Sequence, residues 1–86
     1  EHDVALAHAD ARERMAVTAG AVSQAEESAA LSRARFEKGA LLAAELIGSE
    51  SRLIEARLSR TLAVADECLA RLELRRAVGL PVLTSP

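Results

Sequence analysis

Residues 35–42 read Arg-Phe-Glu-Lys-Gly-Ala-Leu-Leu, and this stretch decides the fold because it carries the best break between two long proline-free runs. Lys38-Gly39 is a strong helix stop. Glycine takes the left-handed conformation that closes a last turn, and a lysine there meets the negative end of the helix dipole. Upstream, from Asp3 to Lys38, a 3,4 alternation passes through Val4, His8, Ala11, Met15, Thr18, Val22, Ala25, Ala29, Ser32 and Phe36. That spacing keeps one stripe on one helical face. Downstream, from Ala40 to Val78, larger side chains recur at Ile47, Ile54, Leu58, Leu62, Ala65, Leu69 and Leu72, with Leu42, Leu46 and Leu53 widening the face beside them. The expected fold is all-α, two long antiparallel helices forming a coiled-coil-like hairpin. Its parts are a helix over 3–38, a tip at 38–40, a helix over 40–78 and an extended tail over 79–86. At about 1.5 Å per residue the two helices make a rod about 50 Å long.

Composition agrees. Half of the 86 residues are apolar, with 19 alanines and 13 leucines but a single aromatic, Phe36. Such a chain cannot build a thick globular core, and its wealth of Ala, Leu, Glu and Arg is that of long packed helices. The 11 basic and 13 acidic side chains are interspersed, for a net charge of −2. Nucleic-acid binding needs clustered cations and aromatic stacking platforms, and both are missing. No stretch approaches the roughly 20 uninterrupted apolar residues of a membrane-spanning helix. The lone cysteine, Cys68, makes no internal disulfide and has no metal-ligand spacing around it; beside Leu69 and Leu72 it reads as a small packed hydrophobe. The first residue is Glu1 rather than methionine, so the chain is read as a fragment.

The two runs differ in how they ask to be packed. The first stripe is mostly small, with Met15 and Val22 its larger members, so a neighbouring backbone can come close but little apolar area is buried per turn. The second run carries an apolar surface too wide for one seam, and its packing residues Ile47, Ile54, Leu58, Leu62, Leu69 and Leu72 imply neighbours on two sides. By itself the chain is therefore expected to be dimeric or higher. Gly20 and Gly48 lie inside the runs as close-packing points or irregularities, Gly48-Ser49 being the favoured bend, and Gly79-Leu80-Pro81 ends the second helix.

Arg35-Phe36-Glu37-Lys38-Gly39, then Glu45-Leu46-Ile47, Leu53-Ile54-Glu55-Ala56-Arg57 and a closing Leu74-Arg75-Arg76-Ala77-Val78-Gly79 resemble, in order and spacing, the later periplasmic hairpin of the TolC-like outer membrane efflux protein family. The likeness covers residues 21–83 well and residues 1–20 only by heptad character. Phe36 stands where the family usually has tyrosine, Gly48-Ser49 where Asp-Ala is common, and Leu42 where serine or threonine is frequent. The resemblance implies a homotrimeric outer membrane protein with a β-barrel and a periplasmic α-helical tunnel. This chain would supply tunnel wall, placed in the periplasm, with the tip meeting a periplasmic adaptor (membrane fusion) protein and, through it, an inner membrane pump, in efflux or type I secretion. Arg35, Phe36, Lys38, Gly39 and Leu42 would form that docking end. The alternatives are a plain hairpin turn at the tip, with Phe36 stapling the helices together, and a coiled-coil interaction or scaffold hairpin with no transport role.

Other constellations carry less. His2, Asp3, His8 and Asp10 do not read as a metal site, since the histidines are six apart and fall on different faces. Carboxylates abound, but no histidine within helical reach and no phosphate loop gives them a reaction, so no enzyme, cofactor or catalytic residue is expected. Glu26, Glu27, Arg52, Arg57 and Arg60, and the Glu73–Arg76 spacing, are candidates for tunnel lining or surface bridges.

Overall fold

The computed structural model describes residues 2–79 and is an all-α hairpin of two long helices, α1 (His2–Glu37) and α2 (Ala43–Ala77). They lie side by side along a molecule whose long axis measures 60 Å. The expected tail lies outside the described residues, except for Gly79.

The turn between the helices follows from its glycine. Gly39 has φ +76°, its N–H donates to the Phe36 carbonyl at 2.9 Å, and the Ala40 N–H donates to the Arg35 carbonyl at 2.8 Å. These are the two crossed bonds of a Schellman ending. Because that motif uses the chain through Ala40, α2 cannot begin there as expected. It begins at Ala43, after Leu41 and Leu42 have reversed the direction. Leu42 is the N-cap residue, with extended backbone (φ −75°, ψ 151°), and its carbonyl accepts from the N–H groups of Glu45 and Leu46 at 3.0 and 3.1 Å. At the far end Gly79 has φ +80°, and the Val78 N–H still reaches the Leu74 carbonyl at 3.1 Å.

Gly20 and Gly48 behave differently from expectation, because both helices run through them unbroken and Gly48-Ser49 makes no break in α2. Nothing lies within 4 Å of a Cβ built on Gly20, and at Gly48 the nearest neighbour is the mobile end of the Arg52 side chain at 3.8 Å. Neither is a point of close packing within the hairpin. Gly20→Ala is accordingly expected to raise stability by about 0.5–1 kcal/mol, whereas Gly39→Ala, forced to keep a positive φ, will lower it by about 1 kcal/mol. Thermal melts of the two variants check both signs.

The seam between the helices is a strict heptad pattern. On α1 the buried or half-buried positions are Val4, His8, Ala11, Met15, Thr18, Val22, Ala25, Ala29 and Ser32, with Ala19 beside them. On α2 the same 3,4 alternation passes through Leu46, Ser49, Leu53, Ala56, Arg60, Ala63, Glu67, Ala70, Leu74 and Ala77. Alternate members of this second series are Ser49, Ala56, Ala63, Ala70 and Ala77, all small, which lets the backbones approach. Two bonds set the register. His8 Nε2 lies 2.9 Å from Glu67 Oε2, and Arg60 Nη1 donates to the Met15 carbonyl at 2.8 Å. They are seven residues apart on both helices, so the same register brings Val22 level with Leu53 and Ala29 level with Leu46. Among the described residues the buried apolar side chains are Ala11, Ala29, Leu53 and Ala63, and only Leu53 of these is large.

Candidate functional site

Of the larger aliphatic side chains of α2, Leu46, Leu53 and Leu74 enter this seam and the others do not. Ile47, Ile54, Leu58, Leu62 and Leu69 are all between 57 and 65% exposed. At 100° per residue they fall within a band about 80° wide, centred nearly opposite the seam. Leu72 continues the band and is half-buried. Met15 and Val22, by contrast, stand in the seam. The α2 seam thus has a small residue at every second position, while Ile47, Ile54, Leu58, Leu62 and Leu69 are presented to solvent. Of the expected packing residues, Met15 and Val22 of α1 stand in the seam, whereas the six on α2 all lie on its outward face.

The α2 seam escaped the sequence reading because two of its large positions are the charged Arg60 and Glu67 and its small positions are alanine and serine. The eye follows bulk, and bulk lies on the other face. The usable signal was the unbroken 3,4 spacing from Leu46 to Ala77. Arg60 and Glu67 tolerate the seam because each has a partner. The side chains of His8 and Glu67 are only 16 and 12% exposed, and Glu67 also faces Arg71 at 3.9 Å. Ser49 has no such partner: it is 3% exposed and its Oγ makes no hydrogen bond. A buried hydroxyl left unpaired costs about 1–3 kcal/mol, so Ser49→Ala, which completes the alanine series, should raise stability by about 1 kcal/mol in a denaturant titration.

Around the seam, charges bridge the helices at the surface. Arg33 Nε donates to Glu50 Oε1 at 2.6 Å, and Arg57 Nη2 lies 3.4 Å from Glu26 Oε2. The hydrogen bond to Glu50, with the carboxylate charge behind it, raises the Arg33 pKa above its ordinary value. Such exposed pairs contribute little stability. Glu73 and Arg76 form no ion pair among those of the described residues. Cys68 is a free, half-buried thiol. No group of three or more metal-ligating side chains is brought together among the described residues, and His8 faces Glu67 instead.

The second uncovered surface is the tip. Arg35, Phe36, Lys38, Gly39 and Leu42 are all exposed and share the turn end of the rod. Phe36 follows Ser32, the last half-buried seam residue of α1, by four positions in the final turn of the helix, and is 42% exposed. Leu42 is 72% exposed and occupies an N-cap, where serine, threonine, aspartate or asparagine would accept a backbone N–H. A leucine has no oxygen to do so. Only the return half of a capping box forms, with the Leu42 N–H donating to Glu45 Oε1 at 3.3 Å. An exposed apolar side chain thus stands where a capping oxygen would be.

No helix among the described residues is long and apolar enough to cross a membrane. Compared with protein-family models, with curated proteins and with solved structures, the chain matches none.

Proposed function

We propose that this hairpin is a wall segment of a periplasmic α-helical barrel in a TolC-like outer membrane channel, with its tip docking a periplasmic adaptor protein. The observation that carries the reading is the apolar band on α2 facing away from α1. A helix in a hairpin that works alone needs one seam, whereas a helix in a closed wall needs a neighbour on each side, and α2 is built with both faces. The small residues of the seam suit the same role, since helices in a curved wall must approach closely. At the tip, exposed Leu42 and Phe36 offer apolar anchors, and Arg35 and Lys38 offer cations at the rim, the composition of a small docking surface. Homotrimeric assembly, a link through the adaptor to an inner membrane pump, and an outer membrane location for the whole protein belong to the same proposal. No catalytic or cofactor chemistry enters it.

The coding region on either side of these residues tests the reading. An export leader, alternating strands and a sister hairpin with its own glycine tip are expected. Continuous heptads or a signalling domain there would replace the channel with a scaffold hairpin.

A further inference from the structure

The five most exposed members of the outward band of α2 form a series that reads the same in both directions, with half-buried Leu72 lying beyond its end. Ile47, Ile54, Leu58, Leu62 and Leu69 are separated by 7, 4, 4 and 7 residues, symmetric about Leu58. Ser51 and Ala65, the small residues between them, are symmetric about the same point. A surface of this kind is self-complementary under a twofold rotation, which is the condition for an isologous contact between two copies of one chain. The geometry points to an antiparallel pairing of α2 with the α2 of a second copy, centred on Leu58. Ile47 then lies level with the partner's Leu69, Ile54 with the partner's Leu62, and Leu58 meets its own symmetry mate.

Charge selects this direction. In a parallel, in-register pair any apolar band would also match itself, but the twofold would then run along the helices and put the two copies of one flank on opposite sides of the interface, so Arg52 would not meet the partner's Asp66. Arg52 and Asp66 are 14 residues apart and lie on one flank of the band, six residues to one side of Leu58 and eight to the other. The twofold rotation brings each Arg52 within one helical turn of the partner's Asp66, and it does so twice. Neither residue has an ion-pair partner within the hairpin among the described residues. Arg57, next to Leu58 in the chain, is already accompanied by Glu26 of its own α1, and Glu55, the charge nearer the axis, stands three residues from Arg52 on the same helix.

The band runs from Ile47 to Leu69, about 33 Å of helix, which places the interface at the small end of specific contacts and its affinity in the micromolar range. This pairing does not rest on the channel reading. In a wall of side-by-side hairpins the helix beside α2 also runs antiparallel to it, so one face serves either neighbour.

The native Cys68 provides the test. It stands ten residues beyond Leu58, so nitroxide labels on the two copies should be about 30 Å apart along the axis in a pulsed dipolar measurement. Labels within about 15 Å would mean parallel pairing and overturn the proposal; so would the absence of any intermolecular coupling at high protein concentration. Leu58→Lys, on the exposed face and outside the seam, should raise the dimer dissociation constant at least tenfold while helicity by circular dichroism is unchanged. Asp66→Arg should weaken the dimer at least threefold, and Arg52→Asp combined with Asp66→Arg should restore it. Failure of that restoration would remove the charge argument and with it the assigned register. None of these readouts involves the tip or an adaptor, so their outcome leaves the channel proposal to its own test.

Discussion

Leu53→Ala is expected to cost the hairpin about 2–3 kcal/mol, and Ile54→Ala, one residue along, less than about 0.5 kcal/mol when both are measured at concentrations low enough to keep the chain monomeric. Leu53 is 2% exposed and is the one large residue among the fully buried apolar side chains, so removing three carbons leaves a gap that alanines cannot close. Ile54 faces solvent from the opposite side of α2 and loses almost nothing. Urea titration with circular dichroism reads the difference directly. Equal losses at the two positions would mean that α2 turns its other face to α1, and the assignment of seam and outer band would be reversed. At high concentration the order should narrow, because Ile54 then becomes an interface residue.

Leu42→Asp should separate stability from docking. An aspartate at the N-cap of α2 supplies the missing acceptor and a negative charge at the positive end of the helix dipole, for a gain of about 1 kcal/mol and a rise in melting temperature of several degrees. The same change replaces an exposed apolar anchor with a charge. Under the proposed function, adaptor binding measured by calorimetry should weaken at least tenfold, since the lost burial of one leucine corresponds to about 1.5–3 kcal/mol. A variant that is more stable and binds the adaptor unchanged would place the docking surface elsewhere than the tip. The combination is informative because an ordinary destabilising mutation cannot mimic it.

Much of the fold was legible because local rules and periodicity agree in this chain. Gly39 could be identified as the reversal point from its neighbours alone, and the α1 stripe from Val4 to Ser32 is the observed seam. The start of α2 was not legible, since the Schellman bonds at Gly39 and Ala40 consume residues that helix propensity would have assigned to the next helix. Nor was the α2 seam. Hydrophobic size marks a face that wants covering, but it does not say which of two faces the nearest neighbour covers. Here the sequence partner α1 takes the alanine face through Arg60 and Glu67, whose carbonyl and histidine partners could not be known before the helices were paired. The tip's exposed position was legible, whereas its missing cap became visible only once Leu42 was placed at the first position of α2.

The central claim is that α2 has a second face made for a neighbour. Sedimentation equilibrium of the unmodified chain over a hundredfold range of concentration tests it most directly. The apparent mass is expected to climb from the 9.1 kDa of one chain to at least twice that value across the range. A mass fixed at that of one chain throughout, with helicity intact, would contradict it and leave five exposed isoleucines and leucines without a purpose.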